Sequence, residues 1–304
     1  MNIVFMGTPE FAIPSLEKLF RSGFTISAVV SNIDKRRGRG SATEPTPVKA
    51  KALELNIPVI EVEDLKSQTF AEQLRALEPD LFVVVAFRIL PKTILEIPKI
   101  GAINLHASLL PKYRGAAPIH WAVINGEEET GCTIFFLDEK VDTGNIILQK
   151  RTSIGENETT GELYDRLKDI GSEALVEAVQ QIKERSYNLQ KQNDSEATPA
   201  PKLFREDAHL SFAKPAKEVH NKIRGLSPFP TAWSMWGDKK FNIYASRLGP
   251  HANVDCGEIF VRNGKLLVGC EDGTLELLEV QLPGKKRIKA EDFIKGYEIE
   301  GYLY

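Results

Sequence analysis

Six consecutive apolar residues, Leu81-Phe82-Val83-Val84-Val85-Ala86, leave a strand at this point with no solvated face. Such a strand lies in the middle of a sheet covered on both sides, which is the environment of a parallel α/β sheet. The opening residues agree. Residues 2–6 read as a short apolar strand, and Gly7-Thr8-Pro9-Glu10 turns out of it. Ile13, Leu16, Leu19 and Phe20 then recur at helical spacing ahead of a second apolar strand over 25–31. Strand, helix and strand in that order make a βαβ unit and a parallel sheet. Gly7 stands where a dinucleotide-binding turn would begin, but the full Gly-x-Gly-x-x-Gly is absent, so no dinucleotide cofactor is expected.

Further elements follow the same alternation. A brief strand is predicted at 58–60, a helix over 67–77, a helix over 117–125, and strands around 130–136 and 145–148. The helix from 160 to about 184 carries Leu163, Leu167, Ile170, Leu175 and Val179 on one stripe, a packing face. Residues 190–201 hold almost no apolar side chain and two prolines, the composition of a linker. Beyond it come a short run over 207–212, a helix over 216–226, and alternating runs separated by Gly-Asp, Asn-Gly and Asp-Gly turns, the signature of a small β-barrel. A length of 304 residues suits two cores better than one. The expected division is 1–189, a linker 190–205, and 206–304.

Composition narrows the class. Hydrophobic residues make up 42% and charged residues 27%, as in a soluble globular protein. No apolar run approaches the roughly 20 residues of a membrane span, and the chain starts directly on a strand with no basic leader. A cytoplasmic monomer is expected. Cys132, Cys256 and Cys270 are odd in number and far apart, which fits reduced thiols and neither a disulfide frame nor a zinc site, so no metal is expected. A net charge of −3 gives no general attraction to nucleic acid, and any such contact must come from local basic clusters.

The stretch 102–118 is the one that ordinary packing does not explain. The strand period puts Asn104 and His106 on one face and Ile103 and Leu105 on the other. An unpaired amide or imidazole on a face covered by helices costs about 1–3 kcal/mol. A satisfied buried pair or a polar strand end would account for them, as would a site. Pro111 then disfavours helix at Leu110, and Arg114-Gly115-Ala116-Ala117-Pro118 supplies small residues before a helix that Pro118 can open. The result is a wall with little bulk, suited to a flat ligand.

Taken in order, Asn104-Leu105-His106-Ala107-Ser108-Leu109-Leu110-Pro111, Arg114-Gly115-Ala116-Ala117-Pro118 and Val141-Asp142-Thr143-Gly144 resemble the formyl-transfer site of the methionyl-tRNA formyltransferase family. Residues 223–233, Ile-Arg-Gly-Leu-Ser-Pro-Phe-Pro-Thr-Ala-Trp, resemble the entry to that family's C-terminal domain, and the likeness runs over nearly the whole chain. The resemblance implies a Rossmann-like, mostly parallel sheet domain of formyltransferase fold followed by a small OB-like barrel. It also implies transfer of the formyl group of 10-formyltetrahydrofolate to the α-amine of initiator methionyl-tRNA.

Under that resemblance Asn104, His106 and Asp142 are the catalytic candidates. Ser108, Leu109, Leu110, Pro111, Phe87 and Arg88 are the folate-binding ones. The turn Phe87-Arg88-Ile89-Leu90-Pro91 departs from the family's pattern, which carries Tyr-Gly and one further residue there; Asn145 stands where relatives carry Asp. The loop Asp34-Lys35-Arg36-Arg37-Gly38-Arg39-Gly40-Ser41 reads by composition as solvated surface. By resemblance it is the loop that enters the tRNA acceptor end, with Gly38-Arg39-Gly40 matching a family motif, so Arg36, Arg37 and Arg39 are tRNA-binding candidates. Lys285, Lys286 and Arg287 form a basic rim that is either plain surface or a track for tRNA backbone.

The chemistry suits these residue types. An amine attacking a formyl carbon builds an oxyanion, which needs a fixed donor such as the Asn104 amide. An imidazole, with a reference pKa of about 6.5, can carry a proton to the oxyanion or the leaving nitrogen, and the Asp142 carboxylate would hold that charge in place. An α-amine, at about 7.7–8.0, is partly neutral already and needs no strong base. Ser108 lacks a nucleophile-elbow sequence, so serine hydrolysis is not expected. Two rival activities use the same three residues, hydrolysis of 10-formyltetrahydrofolate and formyl transfer to an amino sugar; a non-catalytic RNA-binding protein is the rival of another class.

Overall fold

The computed structural model describes residues 1–36 and 43–304, with the side chains at 35 and 36 set aside. The chain forms two compact units. One comprises 1–115, 131–152 and 165–199; the other comprises 116–130, 153–164 and 200–304.

The first unit is built on a seven-stranded sheet. Its strands are β1 (Asn2–Gly7), β2 (Thr25–Asn32), β5 (Val59–Val62), β6 (Leu81–Val85), β7 (Gly101–His106), β8 (Glu129–Phe136) and β9 (Ile146–Ser153), while β3 (Lys35–Arg36) and β4 (Thr43–Glu44) pair separately as a small antiparallel ladder. The order across the sheet is β5-β2-β1-β6-β7-β8-β9. The first five run parallel and β8 is antiparallel to β7. All five residues of β6 are buried, as the unbroken apolar run requires.

Helices α1 (Ile13–Arg21), α2 (Pro47–Glu54), α3 (Gln68–Ala76), α4 (Lys92–Leu95) and, from residue 165 on, α6 (Thr160–Glu184) accompany the sheet. Phe70 and Leu74 of α3 and Ile94 of α4 join Val4, Met6, Phe82 and Val84 in one core layer. On the other side α6 comes so close that a Cβ on Gly171 would lie 2.8 Å from Leu105 Cδ1. Because the chain winds from β1 to β2 in one direction and on to β6 and β7 in the other, the sheet has its switch point between β1 and β6. Crevices in α/β sheets form outside the carboxyl ends of strands at such a point.

The second unit holds α5 (Pro118–Ile124), α7 (Ala216–Gly225) and α8 (Ala290–Gly296) with an antiparallel sheet. Its strands, β10 (Ala232–Trp236), β11 (Lys239–Leu248), β12 (Ile259–Arg262), β13 (Lys265–Gly269), β14 (Thr274–Gln281) and β15 (Ile288–Lys289), run in the order β10-β11-β14-β13-β12, with β15 on β14. Tyr304 exchanges main-chain hydrogen bonds with Met235, while Leu303 donates to Gly257 and Ile259 donates to Gly301. Residues 301–304 thereby tie the two sheet edges together and close the barrel that the turn spacing predicts. Phe241 and Phe293 meet edge to face inside it, 5.4 Å between ring centres. The run expected over 207–212 forms only a single bridge, His209 to Trp233. Among the described residues no helix is long and apolar enough to cross a membrane.

Candidate active site

His106 is the last residue of β7, and Asn104 lies two positions before it on the same face. Pairing with Val84 of β6 and Phe135 of β8 fixes Asn104 from both sides. Its side chain borders a narrow cleft of about 90 Å³ together with Phe87, Arg88, Leu137, Asp138 and Asp142. Among the described residues nothing bonds to its amide, which faces the cleft with donors and acceptor unused.

His106 is buried and its Nε2 lies 2.8 Å from the carbonyl oxygen of Tyr113. A carbonyl only accepts, so this bond assigns the proton to Nε2. Nδ1 then faces Oδ2 of Asp142 at 3.8 Å, too far for a direct hydrogen bond. A neutral ring would point a lone pair at the carboxylate. Protonation turns that contact favourable, and so does a donor nitrogen or water placed between the two atoms and giving a hydrogen bond to each.

Asp142 has φ +55°, a left-handed backbone that Asp tolerates better than most residues. Its Oδ2 accepts a hydrogen bond from the main-chain N–H of Gly115 at 2.9 Å, which anchors one carboxylate oxygen to the small-residue wall. The following Gly144 has no alternative, since a Cβ there would lie 1.7 Å from the carbonyl oxygen of Phe136. The loop is also held from outside. The Gln192 amide donates to the carbonyls of Asp142 and Gly144 at 2.9 and 2.8 Å, and its oxygen accepts from Arg114 Nη2 at 2.8 Å. Arg114 completes the set with Asp194.

The other site candidates fall into three places. Phe87 and Arg88 border the cleft, but the Arg88 guanidinium is committed to the main-chain carbonyls of Glu63 and Val62, each at 2.7 Å, and lies 5.5 Å above the Phe87 ring. Ser108, Leu109, Leu110 and Pro111 build the turn after β7 and do not border that cleft. Ser108 is buried and donates to the carbonyl of Lys112 at 2.7 Å, and Leu110 N–H donates to Thr133 Oγ1. Lys285, Lys286 and Arg287 are exposed on the second unit, where Arg287 pairs with Glu279 and covers the Tyr244 ring. Arg37 and Arg39 lie outside the described residues, as does the Arg36 side chain. Gln192 was hidden in the sequence by its setting, one amide in a polar stretch with the composition of a linker.

Two domain families account for nearly all of this chain. Residues 1–179 match the formyl transferase family model and residues 202–298 match the model of the formyl transferase C-terminal domain. The chain belongs to the formyl transferase family. Within it the methionyl-tRNA formyltransferases are similar over the whole length. That of Chlorobium chlorochromatii is 46% identical over 308 residues, covering 99% of this chain and 98% of that one. The one from Clostridioides difficile is 43% identical over 303 residues, again covering 99% and 98%. Among solved structures, the N-formyltransferase from Helicobacter canadensis in complex with folinic acid and dTDP-3-aminofucose shares the fold, with a TM-score of 0.69 at 24% identity over 90% of this chain and 98% of that one.

Proposed function

We propose that this chain is a methionyl-tRNA formyltransferase, moving the formyl group of 10-formyltetrahydrofolate to the α-amine of methionine carried by initiator tRNA. The observation that carries this reading is the trio of Asn104, His106 and Asp142, gathered at the carboxyl end of β7 beside a cleft with an apolar floor. Phe87 and Leu137 offer faces to a flat heterocycle, while Asn104 and Asp142 are among the polar groups at its edge.

The residues divide the work. The methionine amine bridges His106 Nδ1 and Asp142 Oδ2, which lie 3.8 Å apart, from the side and gives a hydrogen bond to each. Its nitrogen bonds to the formyl carbon, and the carbonyl oxygen takes the electron pair. As that bond forms the amine's proton moves to His106 Nδ1, and the Asn104 amide and the imidazolium so made stabilise the oxyanion. Collapse breaks the bond from the formyl carbon to the folate nitrogen, and the proton lost by the amine passes from His106 to that nitrogen. The products are N-formylmethionyl-tRNA and tetrahydrofolate.

Along the chain, catalysis falls to 1–189 and the grip on tRNA to 206–304, joined through 190–205. Arg36, Arg37 and Arg39 reach the acceptor end, and Lys285, Lys286 and Arg287 follow the backbone. Ser108, Leu109, Leu110 and Pro111, outside that cleft, meet the part of the folate that extends beyond it. The protein works as a cytoplasmic monomer. The test is formyl transfer measured with charged initiator and elongator tRNA, with formate release followed alongside. Formylated methionyl-tRNA is the expected product; formate released with neither tRNA modified would assign hydrolysis instead and end this reading.

A further inference from the structure

The second unit carries a cavity that the proposed reaction leaves unused. About 570 Å³ in volume, it is bordered by Lys222 and Glu218 of α7, by Lys214 ahead of that helix, and by His209 and Ser211. Lys222 is half-buried at its wall, and its Nζ donates to the carbonyl of His209 at 2.7 Å. Among the described residues no carboxylate lies within ion-pair distance of that ammonium. The one acid on the lining, Glu218, is 3.5 Å from Lys214 instead, with both side chains exposed. Burial, followed by the like charge of Lys214, pushes the Lys222 ammonium below its usual pKa. Asp207 attracts that ammonium without pairing to it, and a half-buried cation with spare N–H donors and no carboxylate in contact is stabilised by an anion that enters.

The floor is rigid. The His209 ring packs against Trp233 at 4.5 Å between centres, and Lys240 lies 4.2 Å above that same indole. Burial, followed by the charge of Arg205 and opposed by Glu206, pushes the Lys240 ammonium below its usual pKa. The cavity has room for several times the bulk of one phosphate, which suits a segment of charged chain.

We infer that this cavity binds a phosphate group, with Lys222 as its central cation and Lys214 as a further donor. Two sources share that chemistry, a backbone phosphate of tRNA and a free phosphate ion, and the first of these rests on the proposed function. The Lys222→Ala, Lys222→Arg and Lys214→Ala variants of the full chain separate them. Binding of tRNA is followed by fluorescence anisotropy over a potassium chloride series, and binding of inorganic phosphate by calorimetry.

For a tRNA phosphate, Lys222→Ala weakens tRNA binding roughly five- to tenfold and lowers the salt slope by about one, Lys222→Arg restores both, and Lys214→Ala gives a smaller loss. KM for the folate substrate stays at the wild-type value, which a general disturbance of the fold would not allow. For free phosphate, the calorimetric signal disappears in Lys222→Ala while tRNA binding is unchanged. Wild-type salt slopes together with unchanged phosphate binding in both alanine variants would overturn the inference. Because tRNA binding is read without turnover, a chain that grips tRNA through Lys222 yet forms no formylated product counts against the proposed function and not against this site.

Discussion

Asp142 does two things that a neutral isostere separates. One oxygen takes the Gly115 N–H, a bond that an amide oxygen accepts equally well, while the negative charge faces His106. Asp142→Asn is therefore expected to fold normally and to lower kcat about 10²- to 10³-fold with little change in either KM. Single-turnover formylation checks this, and a wild-type rate would remove Asp142 from the chemistry. Gly144→Ala fails for a different reason, since the new methyl group would collide with main chain rather than with a movable side chain. A loss of about 2–4 kcal/mol in calorimetric unfolding is expected. The strand period already placed Asn104 and His106 on one face, and the structure shows them there. What the period could not show is the partner of His106, because a main-chain carbonyl carries no residue signature.

At the scale of elements, β6 and residues 190–199 mark the two ends of legibility. Burial from both sides wrote β6 into the sequence as an unbroken apolar run, and its placement beside β1 and β7 follows. The polar stretch has the composition of free chain, yet Gln190 pairs with Ile146 through two main-chain bonds and Gln192 is buried over the Asp142 loop. Hydrogen bonds made by main chain and one amide leave no hydrophobic period to detect. Gln192→Ala leaves two carbonyls and Arg114 short of a partner, about 1–3 kcal/mol of local stability. Expected are faster amide exchange over residues 138–145 and a kcat reduced roughly tenfold, with global unfolding nearly unchanged. Exchange rates equal to wild type would show that the loop holds its form unaided.

For the molecule as a whole, acid sensitivity should concentrate in the second unit. His220 is buried between Ser246 Oγ and the carbonyl of Glu156, and burial pushes its imidazole below the ordinary value. The unfolded chain takes up that proton near pH 6.5 while the folded one does not, so stability is level above about 6.5 and falls as pH drops toward the lowered value. His220→Gln should flatten urea-denaturation stability between pH 7 and pH 5, and an unchanged slope would place the sensitivity elsewhere. The barrel itself was legible from its turns, but its closure was not, because Tyr302 and Leu303 bridge strands singly and carry no alternating run.

The second unit gathers 116–130 and 153–164 along with 200–304. A single genetic crossover in the polar stretch would leave two of those three stretches behind, so a chimera that exchanges the whole unit needs five coordinated crossovers, and recombination between relatives transmits the two halves as one inheritance.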